Sequence, residues 1–408
     1  MKNVVIVGAG FSGMSLAYYL VKKGFSVSII DKNKKSGGLI STISTAKGLY
    51  ETAANGFLNT AKVENFLIEI GAKYVGSSLA SKKRFIFRKF PRRWPLSLFE
   101  TVSVLFKLVG FFLKPKQQKL AGPAETVAVW SNRHFTTAFT QNLVAPALQG
   151  IYAGDINVLS AALIVNPMMQ RKKIKKLSAH SLLSATEGMG SLMKDLEKSL
   201  IGQGVQFVFG KNWSDEISTD ILVIATSASD AAEILKKLPN YEAKENAVLL
   251  TKVNMEPLIS ATCFFEKKPL RYQGFGVLFP RPEGVRALGV LQNNLIFGRP
   301  SQAHSETWIF GGAQDREVMS LEDSELKQLI QKSHESVFED VQQIVECHVT
   351  RWPKALPHYT VQFALDIFQL KPMNNIWLHG NYLGSLGLSR ILEASEALAE
   401  TIAKKEVT

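Results

Sequence analysis

The first thirty-one residues constrain this chain more than any other stretch. A β-branched run, Val4 to Val7, passes directly into Gly8, Gly10 and Gly13, and an acid, Asp31, stands eighteen residues after the last glycine. Met14 to Val21 carries apolar residues at helical spacing until Gly24 stops it, and Ser26 to Ile30 reads as a second buried strand. Strand, glycine turn, helix and strand make a βαβ unit of mononucleotide-binding size, and that context makes GxGxxG informative. Gly8 permits the tight turn, Gly10 lets the backbone approach a pyrophosphate, and Gly13 lets helix and strand pack closely. Ala9, Phe11 and Ser12 complete the loop, whose helix N-terminus favours negative charge. Asp31 is placed to accept ribose hydroxyls. The alternative is an ordinary βα turn followed by a chance acid.

Two further stretches favour FAD over a nicotinamide nucleotide. Gly37 and Gly38 offer a second close backbone approach, and LHGNYLGSLGLSRILEASEALAETIA reads as strand, glycine-rich turn and helix, a plan suited to closing over a flavin. Its expected contacts are Gly380, Asn381, Leu386, Gly387 and Leu388, with a plain terminal αβ unit as the alternative. Gly204 to Phe209, Asp220 to Ala225 and Ile376 to Leu378 read as later strands returning to the first sheet. The expected fold is therefore α/β: a discontinuous Rossmann-like FAD-binding domain (1–75, 186–230 and 371–408), a helical, membrane-associating insertion with substrate contacts (76–185), and an inserted mixed α+β substrate-binding domain (231–370).

The insertion holds Leu96 to Leu113, an apolar stretch broken by Glu100 and Lys107 and followed by Lys114, Pro115 and Lys116. No uninterrupted run reaches the roughly 18 residues of a spanning helix. The stretch is either an interfacial helix with basic flanks or an amphipathic helix packed on its own protein. With 48 Lys+Arg against 35 Asp+Glu the formal charge is +13, a field that attracts nucleic acid, anionic lipid or a carboxylate-bearing substrate. The RKKIKK cluster at Arg171 to Lys176 has no nucleic-acid-binding motif beside it, so no nucleic-acid partner is expected. Cys263 and Cys347 lie far apart in sequence without ligand spacing, which suggests neither a disulfide framework nor a metal site. With no secretion signal legible, the expected location is cytoplasmic, peripheral on the inner face of a membrane; an oligomer is left open.

Taken together these residues resemble the FAD-dependent protoporphyrinogen and coproporphyrinogen oxidase family, within the amine-oxidase-like flavoproteins. VVIVGAGFSGMSLAYYL, GGLIST, ETAANGF and KRFIFR are similar to its shared segments, while QGIYAGD, GFGVLFPR and RWPKALPHYT are similar to stretches more specific to it. The resemblance implies that Arg84 pairs with a substrate propionate, that a carbonyl at Gly150 faces the ring system, and that Phe275 and Leu278 sandwich the tetrapyrrole. It further implies flavin contacts from Gly38, Leu39, Ala53, Ala54, Asn55, Gly56, Trp352 and, through its backbone, Trp213. The chain departs from the family in carrying Asp31 where Glu is frequent, a short stretch between Gly210 and Asp220, no Gly-Pro in ETAANGF, and Ile309 in place of a methionine lining the substrate pocket.

A porphyrinogen is a macrocycle rimmed by carboxylates, so its site needs apolar walls and a cation. Arg84 can hold a carboxylate bidentately, with Lys82, Lys83 and Arg88 enriching the field. The implied reaction passes a hydride to the flavin, with dioxygen as final acceptor, and needs no nucleophilic side chain; no acid or base is assigned, and His358 and His379 are expected to be structural. Another amine-oxidase-like flavoenzyme, or a catalytically silent porphyrin- and FAD-binding protein, remains open as an alternative.

Overall fold

The structure, a computed structural model, describes residues 2–170, 175–214, 219–299 and 301–407. A five-stranded sheet is ordered Gln206–Phe209, Ser26–Asp31, Asn3–Val7, Ile221–Ile224 and Ile376–Leu378, and every pairing in it is parallel. Its central strands, Asn3–Val7 and Ile221–Ile224, read as nearly unbroken apolar runs because both faces are buried there. Val4, Ile6, Val27, Ile29, Ile221 and Val223 face one core, under the helices Phe11–Lys22 and Leu388–Val407. Val5, Val7, Ile30, Leu222 and Ile224 face the other, against the helix Ala228–Lys237. The chain visits this sheet in three separate passages.

A second sheet of seven strands runs in the order Ile344–Pro357, Met255–Phe265, His304–Gly311, Gly289–Gln292, Gly276–Leu278, Arg84–Arg88 and Phe90–Arg92. The last two come from the passage that the sequence assigns to a helical insertion. RFIFR instead pairs in parallel with Gly276–Leu278, because its alternation sends Phe85 and Phe87 into the core of this sheet. On that side Val277, Val290, Trp308, Phe310, Ile259 and Ala261 pack beneath the helix Asp323–Phe338, which contributes Leu326, Ile330, Val337 and Phe338. The opposite side carries the alternate residues, among them Arg84, Leu278 and Ile309.

A helical layer closes the molecule around Phe111, Val127, Trp130, Leu148, Ile164, Tyr359 and Phe363. Its helix Leu98–Leu113 begins two residues later than the apolar run because Ser97 and Glu100 form a capping box. Only Val104 and Phe111 of that helix are buried; Phe99 is 85% exposed and Phe106 78%, so the apolar face points away from the protein. Among the described residues no helix is long and apolar enough to cross a membrane.

The two cysteines, distant in sequence, stand opposite each other on neighbouring antiparallel strands with their sulfurs 2.9 Å apart. Their spacing in sequence carried no information on this proximity, since strand register joins residues that no short motif connects. Residues 171–174 of the basic RKKIKK cluster lie outside the described residues.

Candidate active site

The glycine loop shows a separate physical demand at each position. Gly8 has φ +113°, and a Cβ there would stand 2.6 Å from the Ala225 carbonyl oxygen of the adjoining strand end. A Cβ on Gly13 would sit 2.0 Å from the Gly8 oxygen, so helix and strand meet only through hydrogen. Gly10 is different: its φ is −77°, and a Cβ would meet nothing nearer than the Gly38 Cα at 4.0 Å. Gly37 donates its N–H to the Ala9 oxygen at 2.9 Å, which seats the second glycine pair against the first. Two glycine backbones therefore flank a gap at the positive end of a twelve-residue helix with no acid in its first turn. That cradle fits a pyrophosphate.

Asp31 ends the second strand and is buried. One carboxylate oxygen accepts from the Ala9 N–H at 2.7 Å, the other from the Asn33 N–H at 2.7 Å and its side-chain amide at 2.9 Å. Three of the roughly four acceptor positions of a carboxylate are thus taken, leaving room for one ribose hydroxyl rather than two. The backbone at 210–211 crosses the same edge, with Lys211 donating to the Asp31 oxygen, and leads to Trp213, whose buried indole N–H has no partner among the described residues. Asp31→Ala is expected to weaken FAD binding by about 1.5 to 3 kcal/mol. A fluorescence titration of the apoprotein checks this, and an unchanged Kd would show that Asp31 only braces the turn.

At the other end of the cradle, distant segments meet at Thr52. Its hydroxyl donates to the carbonyls of Leu39 at 3.0 Å and Ser41 at 3.1 Å, and its own carbonyl accepts from the Trp352 indole N–H at 2.8 Å. Ala53, Ala54, Asn55 and Gly56 follow directly; the Asn55 carbonyl accepts from Ser184 at 2.7 Å, and a Cβ on Gly56 would clash with the Leu183 oxygen at 2.5 Å. Sequence reasoning passed over Glu51, the acid just before this segment. It is buried and accepts from Thr42 at 2.6 Å and the Met189 N–H at 3.0 Å, with Arg299 at 3.6 Å. Burial pushes its carboxyl up against the opposing effect of those partners. A lone acid in a segment of small residues was the available signal for it.

The closing turn completes this end. Gly387, at φ +91°, precedes the helix Leu388–Val407, and a Cβ there would meet nothing within 4 Å. Ser389 donates to the Leu58 carbonyl at 2.9 Å, which points the helix start toward the 53–58 segment. Asn381 accepts from the Tyr359 hydroxyl, Leu386 packs beside the helical core, and a Cβ on Gly380 would press on Tyr382 at 2.9 Å. His379 bonds Ser395 at 2.9 Å, and burial lowers its pKa to about 4. His358 pairs at 2.9 Å with the fully buried Glu256. Both histidines therefore have partners within the protein.

The implied substrate residues share one surface. In the parallel register Arg84 lies opposite Gly276 and Ile86 opposite Leu278, and Leu278 then aligns with Gly289 and Gly289 with Ile309. Period two puts Arg84, Leu278 and Ile309 on the face opposite the core. Gly150, in the last turn of the helix Ala145–Tyr152, meets that wall: a Cβ there would stand 2.5 Å from Leu278 Cδ2. The Arg84 guanidinium lies 4.5 Å from the centre of the Phe275 ring, a cation–π contact. Among the described residues Arg84 has no carboxylate partner, and partial burial of its head lowers its pKa.

The comparisons agree with this geometry. A family model described as an NAD(P)-binding Rossmann-like domain matches residues 6–70. The chain is 24% identical to protoporphyrinogen oxidase 2, chloroplastic/mitochondrial, of Arabidopsis thaliana, over 98% of this chain and 94% of that protein. It is 21% identical to coproporphyrinogen III oxidase of Bacillus subtilis (strain 168), over 91% of this chain and 90% of that protein. The solved structure of cyclohexylamine oxidase from Brevibacterium oxydans IH-35A superposes with a TM-score of 0.72 at 14% identity, covering all of both chains, and so shares the fold. A glycine cradle for a dinucleotide, a closing turn and helix, and near-full-length likeness lead to one assignment: the chain is an FAD-dependent oxidoreductase similar over nearly its whole length to protoporphyrinogen and coproporphyrinogen oxidases.

Proposed function

We propose that this enzyme oxidises a porphyrinogen of haem biosynthesis, protoporphyrinogen IX or coproporphyrinogen III, with dioxygen as final acceptor. The carrying observation is Arg84, a cation with no carboxylate partner among the described residues, set beside the apolar side chains of Phe275, Leu278 and Ile309. A fixed positive charge suits a macrocycle with ionised carboxylates and repels a protonated amine, although the amine oxidase named above shares the fold. Bound FAD supplies the two-electron acceptor for a hydride from the macrocycle. Arg84 would hold a propionate through its planar fork, while Phe275 and Leu278 keep water from the ring. Gly150 leaves space beside Leu278 and belongs to a helix turn whose carbonyls lack intrahelical partners, so its oxygen can accept a pyrrole N–H. Anaerobic mixing with each porphyrinogen, and with a polyamine as comparison, tests this. Porphyrinogens should bleach the flavin and fluoresce after air is admitted; bleaching by the amine alone would overturn the reading.

We also propose that segments 1–75, 186–230 and 371–408 form the FAD domain, with 231–370 and the sheet strands at 84–92 forming the substrate surface. The helix Leu98–Leu113 would lie on the cytoplasmic face of a membrane. Its outward residues Leu98, Phe99, Phe106 and Leu113 are unpartnered, and Lys107, Lys114, Lys116 and Lys119 accompany them. Arg88 clamps Glu100 at 2.8 Å, neutralising the acid at the head of the helix. Binding to anionic vesicles is therefore expected to survive high salt in part, because apolar insertion is not screened. Phe99→Glu with Phe106→Glu should abolish vesicle sedimentation while leaving the flavin in place; unchanged sedimentation would reject this orientation.

A further inference from the structure

The sheet face opposite Arg84, Leu278 and Ile309 carries a thiol pair that the oxidation reaction does not use. Cys263 and Cys347 are directly opposite in the register of Met255–Phe265 and Ile344–Pro357, and their sulfurs are 2.9 Å apart. They are the chain's only cysteines. We propose that the pair is an oxidative modification site: a peroxide converts it to an intramolecular disulfide, with Cys347 attacking and Cys263 resolving.

Burial assigns the roles. Cys263 is fully buried in the core beneath the helix Asp323–Phe338, whereas Cys347 is only partly covered and can meet a small oxidant. The groups facing the pair are Lys327 and Asp323 from that helix and Glu306 from the neighbouring strand. The Cys263 S–H donates to the Cys347 sulfur and, with Lys327, favours a thiolate there against burial and Asp323. Burial, its bond to Cys347 and Glu306 keep Cys263 protonated. A thiolate at the more accessible sulfur beside a buried thiol is the arrangement a peroxide-reactive pair needs.

In the first step the Cys347 thiolate attacks one peroxide oxygen and the O–O bond breaks, giving a sulfenic acid and a hydroxide that is protonated to water. In the second, the Cys263 sulfur gives up its proton and attacks the Cys347 sulfur, the S–O bond breaks, and the second water leaves. Two thiols and one hydrogen peroxide thus become one disulfide and two waters. The dioxygen reaction proposed above releases hydrogen peroxide at each turnover, but the modification does not rest on that reading, because peroxide can be added without substrate. The bond would tie together residues 84 positions apart and restrict the unfolded chain, so the oxidised form should melt at a higher temperature.

The test treats the purified FAD-loaded protein with hydrogen peroxide in the absence of substrate, then counts thiols after denaturation and maps peptides by mass. Expected are joint loss of both thiols, a mass lower by two hydrogens, a Cys263–Cys347 linked peptide, and full reversal by dithiothreitol. In Cys263→Ala the same treatment should leave Cys347 as a sulfenic acid trapped by dimedone, and in Cys347→Ala the remaining thiol should stay unreacted while the protein is folded. If the wild-type protein keeps both thiols, or gains oxygen without the linked peptide, the inference fails whatever the variants do; dimedone labelling of Cys263 in folded Cys347→Ala would overturn the assignment of roles.

Discussion

Arg84→Ala is expected to lower kcat/KM for a porphyrinogen by roughly 30-fold, about 2 kcal/mol, while FAD content stays intact. The residue is exposed and its head only partly covered before substrate binds, so the figure belongs to the lower part of the range for charge pairs that become fully desolvated only in the complex. The contact with a propionate exists both before and during hydride transfer, so KM should rise more than kcat falls. Arg84→Lys should recover only part of the loss, because an ammonium reproduces neither the two-pronged fork nor the stacking on Phe275. Steady-state kinetics on both variants decide the matter. An unchanged kcat/KM in fully flavinated Arg84→Ala would show that this arginine is a surface charge.

The glycine loop gives the second large effect, as a contrast between two substitutions. Gly10→Val should fold, because its φ is one any residue adopts and its Cβ position is open to 4.0 Å. The added side chain would occupy the gap beside Gly38 that the pyrophosphate needs, weakening FAD binding by on the order of 100-fold or more, about 3 kcal/mol. Gly13→Val should instead damage the fold, since its Cβ would overlap the Gly8 oxygen at 2.0 Å and press on Ile6 Cγ2 at 3.2 Å. A loss of about 4 kcal/mol or more is in keeping with such an unrelievable backbone clash. Circular dichroism melts and FAD titration separate the two cases: Gly10→Val retaining tight FAD would mean the phosphates do not cross this gap.

Parts of the site differed in how openly the residues announced them. Gly8 and Gly13 of the loop were legible because backbone conformation and close packing are local demands that only one residue type meets there. The proposed substrate face was half legible: alternation in RFIFR marks Arg84 and the phenylalanines as facing opposite ways, yet the strand was read as part of a helical region. Its partner Gly276–Leu278 lies far along the chain, and no local pattern states which distant strand will accept it. Glu51 was missed for a related reason, since a buried acid looks like a surface acid until Thr42, the Met189 N–H and Arg299 gather around it.

The sequence by itself determined the βαβ unit, the tight turn at Gly8 and close packing at Gly13, the strands that return to the first sheet, and the apolar stretch ending at Leu113. Each follows from side-chain period, turn chemistry or the conformational freedom of glycine, which act over a few residues. The tertiary structure alone decided that Arg84 has no carboxylate partner among the described residues and rests on Phe275, that Trp352 meets the carbonyl of Thr52, and that two remote cysteines face each other across a strand pair. Those outcomes depend on long-range register, which is set by burial summed over the whole chain and is written in no single stretch of it.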